Sequence, residues 1–386
     1  MGVVPVKDVM DRAKLTDLAG TMGTLAGEIL GGTVLREAKS QKKDPFISVI
    51  VLNWNGRGDS LECLQSLRGL EYPAWNVIFA DNGSVDGSIE AVREAFPEVV
   101  IVENGANLGY AEGNNRAIRF ALEQGADAVL VLNNDTIVDP GLLQAFVDAE
   151  AALPNAGMLG AVSFLYNEPE TIAAAGGMWD ASTVTARHVA KRGTVQDLPS
   201  QEPYEVDYVV GCALYASRNV LSKVGLLEPL FFLNGEDVDW CFRAKKAGFR
   251  NYTIPSARIW HKVAVSFGGG SPIWRYFMTR NALLWTQRHL PASQHRAVVR
   301  KNLREILPPM KFLTWKESMS MKDRYWALTT WVRQVRSPRG KAEILARTSG
   351  IYHFFRKRFG DCPEDLRKRL TPAERIQPRQ GSSASG

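Results

Sequence analysis

The chain has 386 residues, 45% of them apolar and 23% charged, with a formal net charge of +6. These figures describe a folded globular protein and exclude a mainly disordered or fibrous one. Cys63, Cys212, Cys241 and Cys362 lie far apart with no C-x-x-C, which excludes a disulfide scaffold or cysteine-rich zinc module and predicts a reducing compartment.

No run of about 18 uninterrupted apolar residues occurs, so no spanning helix is expected. Asp8, Asp11 and Asp17 stand where a signal peptide wants a basic start and an apolar core, so the expected location is the cytoplasm. Residues 1–45 read as a helical extension and linker, with Val6 to Leu35 helical and Gly31-Gly32 as its stop. From Phe46 the pattern changes. The run from Ile47 to Leu52 is short, β-branched and apolar, and it ends in Asn53-Trp-Asn-Gly56, which predicts a buried strand entering a turn. Leu61, Leu64, Leu67 and Leu70 then share one face of a helix. Strands follow at 77–80, 99–102 and 128–132, with helices at 88–96 and 112–124.

This alternation with short connections predicts an α/β fold with a parallel sheet. Ligands bind such sheets beyond the carboxyl ends of the strands. Asn53–Gly56, Asp81–Gly83, Gly105–Gly109 and Asn133–Asp135 each follow a strand and form one candidate site, although turn chemistry alone favours the same residue types. Asn53-Trp-Asn-Gly-Arg-Gly58 lacks the G-x-G-x-x-G spacing of a dinucleotide fold, and no P-loop occurs.

Five motifs carry a family resemblance: Ile47–Gly56, Asp81–Ser88, Asn107–Asn115, Leu132–Thr136 and Gly235–Arg243. Their order and spacing over residues 46–290 resemble the inverting family 2 glycosyltransferases, notably bacterial rhamnosyltransferase-type enzymes of surface polysaccharide synthesis. The resemblance implies a GT-A fold, with a nucleotide-sugar-binding half (46–140) and an acceptor-binding half (141–290); beyond it, residues 291–386 read as a basic, mostly helical region with a disordered end. It implies a nonprocessive transfer from a dTDP- or UDP-sugar, dTDP-rhamnose leading, to a saccharide or lipid-linked acceptor. The competing expectations are a sugar nucleotidyltransferase and a non-catalytic protein that binds membrane or nucleic acid.

Transfer from a nucleotide diphosphate sugar needs the leaving diphosphate neutralised, usually by Mg²⁺ or Mn²⁺. Asn133-Asn134-Asp135 occupies the place of the family's D-x-D motif with one carboxylate instead of two, so Asp135 is the expected metal ligand, with weaker binding. Asn133 and Asn134 are expected against ribose or a coordinated water, or as an Asx turn. Asp81 resembles the residue that accepts from N3–H of uracil or thymine. Asn107 and Gly109 resemble the loop that packs on the base, and Asn82 and Asn114 of the same motifs are carried with them. Asn53 and Asn55 either contact the nucleoside or simply form the turn.

Inverting transfer is a single displacement, so a base must take the acceptor proton. Asp237 sits where the family places that base, with Glu236 beside it to orient it or hold the acceptor. The alternative is a helix N-terminus that favours acids. His261 stands where related enzymes have a metal-binding histidine, or else serves as a structural hydrogen-bonder. Arg280 either pairs with the diphosphate or is an exposed helix arginine. Residues 166–206 read as a polar loop without periodicity, expected to recognise the acceptor.

Residues 291–386 hold 21 Lys and Arg against 8 Asp and Glu, whereas residues 1–290 hold 26 against 33. Within the basic region stand Trp315, Trp326, Trp331, Tyr352, Phe354, Phe355 and Phe359. That mixture suits an interfacial helix on an anionic membrane and predicts a peripheral position on the inner face of the cell membrane. Nucleic acid is not expected as a partner. A helical subdomain packed on the catalytic body, or on a second subunit of a homodimer, is the alternative.

Overall fold

In the computed structural model, the run expected to open the sheet is strand β1 (Ile47–Asn53). The structure describes residues 44–180, 185–262, 270–306, 326, 329 and 336–371. The helical segment expected over residues 6–35, most of its linker, Gly268-Gly269, Trp315, Trp331 and the chain end expected to be disordered all lie outside the described residues.

Helix α1 (Arg57–Leu67), strand β2 (Trp75–Asp81), helix α2 (Ser88–Ala95), strand β3 (Val100–Glu103), helix α3 (Gly109–Glu123) and strand β4 (Ala128–Asn133) continue the alternation. β1 runs parallel to β2 and β4, and β2 runs parallel to β3. Ile47, Val49 and Val51 bury against Cys63, Leu64 and Leu67 of α1, while Ile50 buries with Ala117, Ile118 and Ala121 of α3. Cover on both faces explains why the run is continuously apolar. Burying each Ile or Val side chain in it contributes ~1.5–3 kcal/mol.

Register then places the site. Asn53 pairs with Asp81, Leu52 with Asn133, and Asp81 with Glu103, so the polar ends of four strands finish at one edge.

The second half comprises β5 (Thr136–Val138), α4 (Leu142–Ala152), β6 (Ala156–Leu165), β7 (Glu168–Ala174), β8 (Gly177–Asp180), β9 (Thr185–His188), β10 (Tyr204–Val206), β11 (Ala213–Ser217), α5 (Arg218–Val224), α6 (Glu236–Lys246) and β12 (Arg250–His261). The main sheet has ten strands, with β10-β12-β6-β11-β4-β1-β2-β3 as its continuous order. β11 joins antiparallel to β4 and β6, and β6 lies parallel to β12. This is the expected α/β architecture, parallel through β3-β2-β1-β4 and mixed beyond it. Residues 166–206 depart from the expected loop: β7, β8, β9 and β10 all fall inside them. Glu168, Pro169 and Glu170 open β7 fully exposed, and proline on a strand with a solvent side erases the alternation that sequence reading needs.

Beyond the sheet lie α7 (Pro272–His289), α8 (Ala292–Ile306), α9 (Pro338–Phe355) and α10 (Glu364–Leu370). Helix α9 packs closely on α7, since a Cβ at Gly350 would sit 2.9 Å from the Tyr276 carbonyl oxygen. Ile351 and Phe354 share an apolar cluster with Leu283, Leu284 and Trp285. On the solvent side Tyr352 and Phe355 are 52% and 59% exposed, next to the exposed Arg356, Lys357 and Arg358. Among the described residues no helix is long and apolar enough to cross a membrane.

Candidate active site

At the sheet edge the side chains of β1 and β2 bond to one another. Asn53 Nδ2 donates to Asp81 Oδ1 and Ser84 Oγ, each at 2.9 Å. Asn53 Oδ1 accepts from Ser60 Oγ at 2.9 Å and from Asn134 Nδ2 at 3.1 Å. Asp81 is fully buried, and its second oxygen accepts from Ser84 N at 2.8 Å. Asp81 therefore shapes the turn after β2, and its carboxylate is covered by that turn. Asn134 likewise turns back to Asn53 and Ser60, whereas Asn133 is partly exposed at the edge. Asn55 has φ +52° and accepts from Val85 N at 2.8 Å, which ties the two turns together.

The third turn is built the same way. Asn82 Nδ2 donates to Gly109 O at 3.0 Å, and Asn82 Oδ1 accepts from Asn104 Nδ2 at 2.8 Å. Asn107 Oδ1 accepts from Gly109 N at 2.9 Å. Gly109 has φ +77°, and a Cβ there would meet Phe232 O at 2.5 Å, so only glycine fits. Asn114 is fully buried, donates to Tyr110 O at 2.9 Å, and keeps an unpartnered Oδ1.

Asp135 and His261 come together across 126 positions of sequence. Antiparallel pairing of β12 with β5 sets His261 opposite Thr136, and His261 Nε2 lies 3.0 Å from Asp135 Oδ1. Lys262 locks this junction. Its N–H donates to Asp135 O at 3.0 Å, and its ammonium bonds Asp59 and Glu62 of α1, each at 2.7 Å. The carboxylate oxygen is a donor suited to Mg²⁺ or Mn²⁺, and the imidazole nitrogen favours a transition metal over Mg²⁺. Among the described residues no group of three or more His, Cys, Asp or Glu is placed to hold a metal. Further ligands would have to come from substrate and water.

Glu236 and Asp237 open α6. Asp237 Oδ2 accepts from Gly211 N at 3.0 Å and its Oδ1 from Val238 N at 2.8 Å. Burial pushes the Asp237 carboxyl above its ordinary range. Burial raises Glu236 well above its own, followed by the charges of Asp237 and Asp239, and Glu236 Oε2 has no hydrogen-bond partner. Burial also opposes the charge on Asp239, but hydrogen bonds from His289 and Arg243 outweigh it and hold that carboxyl low.

The dipeptide Gly211-Cys212 joins the two acidic groups. Gly211 binds Asp237, Cys212 O accepts from Asn133 N at 3.0 Å, and Gly211 O accepts from Tyr110 Oη at 2.5 Å.

The segment leading into α6 is strained. Phe232 has φ +62° and ψ −55°, and Leu233 N donates to Phe231 O at 2.7 Å, which is the rare left-handed γ-turn. Asn234 and Gly235 follow with φ +67° and +96°. Each such non-glycine residue costs ~1–3 kcal/mol unless its surroundings hold it.

Arg280 does not join the other candidate residues. It is fully buried, and its guanidinium donates to Phe231 O, Gly360 O and Tyr276 Oη at 3.0, 2.6 and 3.3 Å. The two expectations for it, a diphosphate contact and an exposed helix position, both give way to this interior place.

The glycosyl transferase family 2 profile matches residues 48–222. An N-acetylglucosaminyl-diphospho-decaprenol L-rhamnosyltransferase of Mycobacterium tuberculosis is 33% identical over 215 residues, covering 50% of this chain and 68% of that one. The chain belongs to glycosyl transferase family 2. A dTDP-rhamnosyl transferase of Shigella flexneri is 24% identical over 48% of this glycosyltransferase and 63% of its own length. Among solved structures, a mannosyltransferase from Pyrobaculum calidifontis in complex with GDP-Man and Mn²⁺ superposes with a TM-score of 0.51 at 16% identity, over 88% of this chain and 95% of that one. GalNAc-T7 with UDP, GalNAc and Mn²⁺ gives 0.53 at 15% identity, over 64% and 48%. The fold is the GT-A fold of such transferases.

Sequence reading missed four residues of this glycosyltransferase's candidate site. Ser60 and Ser84 complete the Asn53 network, and Tyr110 and Gly211 act at the central junction. Gly211, two residues before β11, is glycine for a structural reason: a Cβ there would meet the Asp237 Cβ and Oδ2 at 3.3 Å.

Proposed function

We propose that the enzyme is a nonprocessive, inverting glycosyltransferase that moves a sugar from a dTDP- or UDP-sugar, dTDP-rhamnose first, to a saccharide or lipid-linked saccharide. The observation that carries this reading is the buried acidic pair at the start of α6, linked through Gly211-Cys212 to the turn that presents Asp135. The family match ends at residue 222, so the roles of Asp237 and His261 rest on geometry.

Asp237 accepts the proton of the attacking acceptor hydroxyl. Its two backbone N–H bonds fix the carboxylate, and its raised pKa makes it a stronger base than an ordinary aspartate. Glu236 holds an acceptor hydroxyl with its unpartnered oxygen. Asp135 and His261 would hold Mg²⁺ or Mn²⁺ with help from the donor's diphosphate, and a cation held there would supply neutralisation of the charge that builds on the leaving group. The nearby cation Lys262 is already engaged by Asp59 and Glu62, which leaves that task to the metal. Asn133 meets the ribose. The base rests at the Asn53–Asn55 and Asp81–Ser84 turns beside Trp54, which is 41% exposed. The exposed aromatic and basic side of α9 rests on an anionic membrane surface, where a lipid-linked acceptor would be presented.

The test is a panel of nucleotide sugars assayed for donor hydrolysis and transfer with Mg²⁺, Mn²⁺ or EDTA, with the anomeric outcome read by NMR. Metal-dependent turnover of a dTDP- or UDP-sugar with inversion is expected. Turnover with retained configuration would overturn the single displacement.

A further inference from the structure

Residues 231–235 are gripped from behind by two consecutive side chains of α7. Asn281 Nδ2 lies 2.9, 2.8 and 2.7 Å from the carbonyl oxygens of Phe231, Leu233 and Asn234. Arg280 Nη2 reaches the same Phe231 oxygen at 3.0 Å, and its Nε donates to Asn281 Oδ1 at 3.0 Å, which sets the amide with its N–H groups toward the segment. The guanidinium is held between Tyr276 and Phe277, with its carbon 5.3 and 5.1 Å from the ring centroids. Its remaining strong bond runs to Gly360 O, in the turn between α9 and α10. On its front side the segment gives Phe232 O to Tyr110 N at 2.6 Å, at the first turn of α3. One strained stretch of backbone is thus both the root of the acidic pair and a wall of the donor-side turn.

We propose that Arg280 and Asn281 are positioning residues that hold residues 231–235, with the positive φ of Phe232, Asn234 and Gly235, and thereby set Glu236 and Asp237 against the Asn107–Tyr110 turn. The proposal rests on the reading of those two acids as the groups that handle the acceptor proton. Backbone of this kind persists only where its surroundings over-determine it. Here the determinants are five side-chain hydrogen bonds from one dipeptide, four to the carbonyls of the segment and one between the pair itself. Arg280 directs its bonds to carbonyls, an amide oxygen and a hydroxyl, with no carboxylate among them, so it serves as a clamp and not as half of an ion pair. The charged or titratable groups near the acids are Tyr110 of α3, Tyr208 and Cys212 ahead of β11, Cys241 of α6 and, one turn along α6, Asp239 with Arg243, Arg288 and His289. Arg280 bonds to none of them.

The test compares full-length Asn281→Ala and Arg280→Lys with the parent enzyme, using thermal melts and the pH profile of kcat with the nucleotide sugar that supports turnover. Arg280→Lys keeps the charge but loses the planar fork, and it carries the test where Asn281→Ala fails to fold. The expected result is a folded variant whose kcat falls about 10–100-fold, the scale of an ångström-sized misplacement. Its acidic limb should also move to lower pH as the carboxylates gain water. A lowered melting temperature with unchanged kcat and an unmoved limb would overturn the proposal. Asp237→Asn and Glu236→Gln are run alongside. If both keep full turnover, the reading of the acids falls and the proposal falls with it. If they lose turnover while the α7 variants keep it, the proposal alone falls.

Discussion

The Glu236→Gln substitution removes one charge from a buried acidic pair and keeps the side-chain volume. Burial and then the adjacent Asp237 charge oppose ionisation of Glu236, and its Oε2 has no hydrogen-bond partner; an unsatisfied buried group costs ~1–3 kcal/mol when neutral and more when charged, and the amide removes the charged excess. The N-terminus of α6 returns part of that, about 0.3–1 kcal/mol for an anion in the first turn. Arg243 and Arg288 already pair with Asp239, which offsets part of its repulsion. The net gain expected from removing the charge is ~1–2 kcal/mol, or a rise of about 1–3 °C in melting temperature for a chain of this size. The sign with pH follows from the raised carboxyl. Its folded pKa lies above the unfolded value of about 4.3, so ionisation destabilises the fold at neutral and alkaline pH. Below about pH 4 both states hold the proton, and the difference disappears. Thermal melts of parent and variant at pH 8, 6 and 4 should show the gain shrinking in that order, while transfer falls at least tenfold. A melting temperature unchanged or lowered at pH 8, or a gain undiminished at pH 4, would refute the assignment of Glu236 as a carboxylate kept for function against stability.

Asp237→Asn should fold and bind donor within a few-fold of the parent while kcat falls ~10²–10⁴-fold. The parent's kcat should lose activity toward acid with a limb above the ordinary aspartate range, because burial raises Asp237, and the asparagine variant should lack that limb. Asp135→Ala should weaken Mn²⁺-dependent binding of the nucleoside diphosphate in calorimetry, and undiminished affinity would remove Asp135 from the metal site. Vesicles containing anionic lipid should retain the full-length protein at low salt and release it at high salt, with each Lys or Arg at the surface contributing ~1 kcal/mol. Tyr352→Ala with Phe355→Ala should reduce that retention, and sedimentation of protein with vesicles reads it directly.

The nucleotide half was legible because each of its strands is covered on both faces. Ile47 to Leu52 can be little else than a buried strand, and the polar residues after it fall at a sheet edge by geometry. The second half was less legible because its pairing is non-local: β11 runs antiparallel between β4 and β6, and β12 returns beside β6. Sequence spacing also cannot show which polar side chains turn inward. Asp81 and Asn134 were chosen for ligand contact, yet both spend hydrogen bonds on neighbouring turns. Arg280 was the hardest to read. Its charge suggests phosphate or solvent, and only the carbonyls of Phe231 and Gly360, distant in sequence, explain an arginine in the interior. Tyr110 and Gly211 escaped notice because their bonds, Tyr110 Oη to Gly211 O and Gly211 N to Asp237, join segments far apart in sequence.

The Asp135–His261 contact spans 126 positions of chain, and the Lys262–Asp59 bridge spans 203. At a synthesis rate of roughly 5–20 residues per second, His261 leaves the ribosome about 6–25 s after Asp135. Loop closure over such distances comes late in folding, after the local β–α units have formed. A growing chain therefore has its strand-edge turns well before it has the imidazole, the acidic pair or the α7 clamp behind them. On the proposed reading, the local units of the donor side thus form before the groups assigned to the transfer step are in place.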